Sequence, residues 1–143
     1  VAIDRVVNDF AATAVGIDEI YDLDVDVYAP CALGATVNDA TIPRIKATII
    51  AGCANNQLAE SRHGEIIREK GILYAPDYVI NAGGIINVYY ETAPEGYSAE
   101  ASNKHVEGIF KTLTEIFSRS EKEQKSTHLI ADELAQEIIK NGL

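Results

Sequence analysis

Cys31 lies in "DVDVYAPCALGATVND", just after Pro30, where an apolar run gives way to a loop. A cysteine at such a point could attack a carbonyl carbon, ligate a metal, or line a loop that carries a ligand. Attack needs a base in reach and a lowered thiol pKa. The three histidines, His63, His105 and His128, fall in helix-like charged segments with no evident route to that loop. Cys53, beside Gly52, is far away in sequence. With no second pair of cysteines, neither a zinc ribbon nor a disulfide framework is indicated. The expectation for Cys31 is therefore a small side chain packed along a pocket. For metals there is no H-x-x-x-H, no C-x-x-C and no cluster of carboxylates on one predicted face. The acidic run Asp18, Glu19, Asp22, Asp24 and Asp26 lacks the glycines of a calcium loop and reads as a solvated connector.

Three stretches could instead hold a ligand: "APCALG", "GCANNQ" and "NAGG". Asn55, Asn56 and Asn81 each donate and accept, which suits hydroxyls, carboxamides or a carboxylate. Gly34, Gly52, Gly83 and Gly84 leave the backbone open to close approach. No G-x-G-x-x-G occurs, and no acidic residue ends a strand ahead of a helix. Motif rules alone therefore give no support to a dinucleotide site.

The elements that must position these loops alternate in type. "DVDVYA" (24–29), "ATIIAG" (47–52) and "ILYAPDYVIN" (72–81) are β-rich, and "DATIPRIK" (39–46) and "SRHGEIIREKG" (61–71) are helix-like. In the second helical segment Ser61 is the expected N-cap, and Gly71 lies just past the end. Apolar strands alternating with helices predict an α/β fold, a Rossmann-like parallel sheet covered on both faces. In such sheets ligands bind outside the carboxyl ends of the strands, where all three loops fall. From residue 82 onward the pattern is helical. One stripe is Val106, Ile109, Phe110, Leu113 and Phe117, and another is Ile130, Leu134 and Ile138. "SRSEKEQKS" (118–126) reads as a solvated charged turn between them. The expected organisation is a sheet-containing portion over 1–100 and C-terminal helices over 101–143 packed on it.

The chain has 143 residues, a net charge of -10 and a hydrophobic fraction of 47%. That charge disfavours nucleic acid and anionic membrane surfaces. No apolar run approaches a bilayer span, no signal-peptide pattern is present, and the expected location is the cytoplasm. The sequence has no Met and opens inside a helical pattern, with Ile3, Val6, Val7 and Phe10 at i, i+3, i+4, i+7, which suggests a piece of something longer.

"VYAPCALGATVNDATI", "IAGCANNQL" and "RHGEIIREKGILYAPDYVINAGGIINV", with the terminal helices, resemble the NAD-binding domain of the Glu/Leu/Phe/Val dehydrogenases over nearly the whole chain. The resemblance implies the later portion of that domain, in an oligomeric enzyme that reversibly deaminates an L-amino acid to a 2-oxo acid and ammonia with NAD. It implies that the glycine-rich turn, the ribose-binding acid and the catalytic lysines and aspartate precede Val1, so no catalytic residue is expected here. Asp4 falls on the following helix and does not match the ribose acid. Cys31, Ala32 and Leu33 would line the NAD site, with Ala54, Asn55 and Asn56 beside the nicotinamide ribose. Asn55 would also reach the substrate carboxylate, and Asn81 with Gly83 and Gly84 would hold the loop against the nicotinamide. Ile85 and Val88 would shape the substrate pocket, favouring a branched-chain, leucine-like side chain over glutamate. "YYETAPEGYS" departs from the family's usual continuation, so Tyr89 and Tyr90 leave the preferred amino acid open. Alone, the chain is expected to be inactive. Two other readings compete: a stand-alone, non-catalytic module for nucleotide binding or oligomerisation, and a relic.

Overall fold

Three parallel strands in the order β1-β2-β3 form the centre of the computed structural model, which describes residues 2–94 and 96–142. They are β1 (Val27–Tyr28), β2 (Ile49–Ile50) and β3 (Leu73–Tyr74). Their register is regular: Val27 pairs with Ile49 and Ile49 with Leu73. The helices are α1 (Ala2–Phe10), α2 (Arg62–Glu69), α3 (Asp77–Ile80), α4 (Gly83–Glu91), α5 (Ala99–Glu123) and α6 (Thr127–Asn141), and Ile20–Asp22 form a short 3-10 turn. No helix among the described residues is long and apolar enough to cross a membrane.

Two apolar clusters hold these elements. The first gathers Val37, Ile42, Ile45, Ala47, Ile50, Ile67, Ile72 and Tyr74 around the sheet. Ile50 and Ile67 are almost fully buried, each worth roughly 1.5–3 kcal/mol of transfer free energy. The second joins Ile116 of α5 to Ile130 and Ala131 of α6, flanked by Val79, Phe117 and Leu134. The start of α6 ties the two together. Thr127 Oγ1 donates to the carbonyl of Tyr74 at 2.7 Å, and the Ser126 amide donates to Glu65 at 3.2 Å. The His128 ring lies so close over α2 that a Cβ on Gly64 would sit 2.1 Å from Nδ1.

Several elements differ from the sequence expectation. Residues 39–46 form overlapping turns rather than a helix, because Pro43 has no amide to donate and the Asn38 side chain accepts from the Ala40 and Thr41 amides, offering the backbone a turn instead. The third strand is shorter than 72–81: Pro76 ends it and Asp77 opens α3. Ser61 makes no side-chain cap bond to α2; its hydroxyl pairs with His128 Nε2 at 2.9 Å. The stretch 118–126 is not a solvated turn, since α5 runs to Glu123 and ends on Gln124 in the left-handed conformation. Its charges bridge helices: Arg119 pairs with Glu123 and Glu137, and Lys125 with Glu123 and Glu133. The acidic connector is also pinned, because Arg44 grips Asp22 and the carbonyl of Asp18 and covers the Tyr21 ring at 5.3 Å.

The first helix forms as its periodicity predicts, but none of its residues is buried. Ile3, Val6, Val7 and Phe10 all remain exposed, and Ile3, Val6 and Val7 share an open groove with Ala12, Thr13 and Ala14 of the following segment.

Candidate functional site at the carboxyl ends of the strands

The rim is assembled chiefly by main chain. The β1–β2 register continues one step past the strands, with the Ala51 amide donating to Tyr28 O at 3.0 Å, and then slips by one residue, the Ala54 amide donating to Pro30 O at 3.0 Å. Gly52 lies directly against Pro30, where a Cβ would come within 2.1 Å of the carbonyl oxygen. The second contact is similar in kind: a Cβ on Gly34 would meet the carbonyl oxygens of Asn55 and Asn56 at 2.8 and 3.0 Å. The loops then zip together through Ala35 N to Asn56 O at 2.7 Å and Val37 N to Gln57 O at 3.0 Å. Gln57 is buried and crosses between them, donating to Leu33 O at 3.0 Å and accepting from Thr36 Oγ1 at 2.5 Å. Ala35 and Asn56 reach this geometry with φ of 57° and 54°, a conformation that asparagine tolerates and alanine adopts only when its surroundings enforce it.

The third loop is locked by two polar side chains. Asp77 is buried, and its Oδ2 accepts from the Gln57 amide at 3.0 Å and from Tyr74 OH at 2.6 Å. Burial and the adjacent Asp77 push the Tyr74 phenol well up, so it stays a donor. Asn81 Nδ2 donates to the carbonyl of Cys53 at 3.1 Å and also to Asn55 Oδ1. A carbonyl only accepts, so the first bond fixes which end of Asn81 is NH2. The Asn55 amide is oriented in turn, with its Oδ1 held by Asn81 and its NH2 unpaired among the described residues. That leaves a positioned donor on the rim, suited to a hydroxyl or carboxylate oxygen.

The residues predicted for the cofactor side are therefore gathered along one edge. Cys31, Ala32, Leu33, Asn55 and Asn56 are exposed, and Asn81 is half-buried. Ala54 is buried and backs the loop. Ile85 and Val88 lie three apart on α4, 73% and 55% exposed, so this wall faces solvent in the chain as it stands. Gly83 and Gly84 open that helix. Farther along it, Tyr89 and Tyr90 pack edge to face with ring centroids 5.3 Å apart, and Tyr90 packs likewise on His105. A separate apolar groove of roughly 380 Å3 between α3, α4, α5 and α6 takes Ile86 but neither Ile85 nor Val88.

Two expectations require correction. Cys31 is not packed in a pocket; both cysteines are exposed. Although far apart in sequence, Cys31 and Cys53 lie side by side, each following one partner of the Pro30–Gly52 contact, and the Cys31 thiol pushes its neighbour's pKa up. Carboxylates do cluster: Asp39, Glu60 and His63 bring ligand atoms within 4.8 Å of one another. The donor set is nonetheless already engaged. His63 Nδ1 accepts from the Glu60 amide at 2.9 Å and Nε2 faces Asp39 at 3.3 Å. Arg62 bonds both carboxylates, holding each below the usual range. His63 and His128 are both buried structural groups. Gln57 and Asp77, which set the rim, were not singled out in the sequence. An aspartate directly after a strand-ending proline was the signal available for the latter.

Comparison with known proteins adds independent information. Residues 3–140 match the family described as Glutamate/Leucine/Phenylalanine/Valine dehydrogenase. The chain is 55% identical to leucine dehydrogenase of Bacillus cereus over 96% of its own length and 37% of that protein's. The crystal structure of L-tryptophan dehydrogenase from Nostoc punctiforme superposes with a TM-score of 0.91 at 49% identity, covering 96% of this chain and 41% of that one. A hetero-hexameric glutamate dehydrogenase from Thermus thermophilus (Leu bound form) shares the fold at a TM-score of 0.69 and 17% identity, over 100% of this chain and 38% of that one. The chain thus spans about 37% of the length of the curated relatives it matches.

Proposed function

Because the chain belongs to the glutamate, leucine, phenylalanine and valine dehydrogenase family, we propose that it forms the nicotinamide-side wall of an NAD-dependent amino acid dehydrogenase. The reaction is reversible oxidative deamination of a branched-chain, leucine-like L-amino acid to its 2-oxo acid and ammonia. In this reading residues 1–100 are the later portion of the NAD-binding domain and 101–143 are helices packed on it. The enzyme is a cytoplasmic homo-oligomer. The catalytic lysines lie outside this chain, which is inactive alone.

The observation that carries the proposal is the Asn81–Asn55 clamp. It ties the second and third strand ends together and leaves one oriented amide donor on an exposed rim. Such a rim fits a nicotinamide dinucleotide: a flat, polar group can approach backbone at Cys31, Ala32 and Leu33 while Asn55 and Asn56 offer amides to ribose hydroxyls. When bound, the dinucleotide supplies hydride acceptance. The part played by this chain is positioning, since hydride transfer requires donor and acceptor carbons about 3–3.5 Å apart in a fixed orientation. Asn55 donates to the substrate carboxylate, Asn81 holds Asn55 in that orientation, and Ile85 and Val88 exclude water from an aliphatic side chain.

The test joins the chain to the upstream portion that its relatives carry and follows NADH formation with L-leucine, L-valine, L-isoleucine, L-phenylalanine and L-glutamate. Turnover is expected with the branched-chain substrates and is expected to be absent from the isolated chain. Asn55→Ala is expected to raise KM for both cofactor and amino acid about tenfold or more, the loss of a hydrogen bond to a charged or strongly polar partner. Absence of NADH with all five substrates refutes the proposal.

A further inference from the structure

We propose that Cys31 and Cys53 form a reversible oxidation site, a thiol pair that a peroxide converts to a disulfide across the first two strand ends, and that the bridged form excludes the dinucleotide. The second half rests on the function proposed above; the first half does not.

The geometry comes from strand register. Val27 pairs with Ile49 and Tyr28 with Ile50. The Pro30–Gly52 backbone contact keeps that offset, and one residue beyond it the pairing slips, the Ala54 amide donating to Pro30 O where the Cys53 amide would continue the ladder. Cys31 and Cys53 each follow one partner of this Pro30–Gly52 contact, which brings them side by side. Neighbouring parallel strands run about 4.7–4.9 Å apart, inside the Cα separation of about 4.4–6.8 Å that a disulfide needs. Both residues are exposed, and the Cys31 thiol lies near enough to Cys53 to push its pKa up. The Cys53 main chain is held in place by Asn81.

The chemistry balances with one equivalent of hydrogen peroxide. The Cys31 thiolate attacks one peroxide oxygen, the O–O bond breaks, and the departing hydroxide takes a proton to leave as water. Cys31 is then a sulfenic acid. The Cys53 thiol attacks that sulfur, its proton leaves with the hydroxyl as a second water, and the S–S bond forms. Two thiols have lost two electrons and two protons, and the peroxide has been reduced to two waters. Cys53, whose ionisation its neighbour opposes, suits the second step. The bridge would occupy the stretch where Cys31, Ala32 and Leu33 otherwise face the nicotinamide nucleotide, and would fix the two loops at their closest approach.

The experiment treats the chain with one equivalent of hydrogen peroxide and reads free thiols, intact mass and a non-reducing digest. The expected result is loss of both thiols, loss of two hydrogens, and a peptide linking Cys31 to Cys53 within one chain, all reversed by dithiothreitol. Cys53→Ser is expected to show no such peptide. Two thiols surviving in the treated chain, or links formed only between chains, overturn the site. Dinucleotide titration of the longer protein then compares reduced and oxidised forms, with at least about tenfold weaker binding expected after oxidation and recovery on reduction. Equal affinity of the two forms overturns the exclusion. Failure of the reduced form to bind at all counts against the function proposed above and leaves the disulfide result standing.

Discussion

Replacing Gly52 with alanine is the sharpest test of a rim held by main chain. The added Cβ would lie 2.1 Å from the carbonyl oxygen of Pro30, 2.5 Å from its nitrogen and 2.7 Å from its carbonyl carbon. Ordinary contact begins near 3.4 Å, so the Pro30 carbonyl and the Gly52 backbone must separate by about 1.3 Å. Neither can move alone, because Pro30 follows β1 and Gly52 follows β2 in a paired register. The separation breaks the Ala54 amide to Pro30 O bond at 3.0 Å, a loss of about 1 kcal/mol, and adds overpacking strain of about 1–3 kcal/mol. Gly52→Ala should therefore destabilise the chain by roughly 2–4 kcal/mol, lowering the urea midpoint with the slope m unchanged. The melting temperature should fall by on the order of 5–15 °C. It should also abolish the Cys31–Cys53 crosslink, since the register that apposes the sulfurs is lost. A variant that unfolds at the parental midpoint and still crosslinks would refute the argument that backbone contact sets the rim.

Two further outcomes follow from the buried polar groups. Asp77→Ala leaves the Gln57 amide and the Tyr74 hydroxyl without their acceptor, at a cost of about 2–4 kcal/mol in urea unfolding, and Tyr74→Phe, which removes one donor only, should lose about half as much. For His128, burial lowers the imidazole pKa, with Asp132 and Glu65 opposing. The unfolded chain takes up its proton near pH 6.5 while the folded ring still lacks it, so stability should fall as pH drops through about 6.5 towards the lowered folded value and be unaffected by this group above it. His128→Gln should flatten the urea midpoint across that window relative to the parent, and an unchanged pH slope would show that the ring is not held neutral.

The sheet was legible because "VY", "II" and "LY" lie in apolar, β-rich runs at spacings that suit crossovers, and the crevice rule then placed the three loops together. Element ends were less so. Pro43 and Pro76 sit inside patterns whose apolar spacing alone suggests a longer helix and a longer strand. The charged residues at 118–126 looked solvated because sequence shows their polarity and not that Glu133 and Glu137 face them across a helix pair. Nearness of Cys31 to Cys53 is a consequence of register, which no local pattern carries. His63 and His128 were read only as parts of helix-like charged segments for the same reason, since their partners, Asp39 and Ser61, come from other segments.

Gly34 and Gly52 fix the rim through backbone packing, whereas Ile85 and Val88 project from α4 with no part in those locks. Scaffold and wall are thus mechanically independent. Exchanging either aliphatic side chain for an aromatic or polar one should leave the melting curve nearly untouched. Under the function proposed above, substrate preference could then drift, or be redesigned, by single steps on one short helix without passing through unstable intermediates.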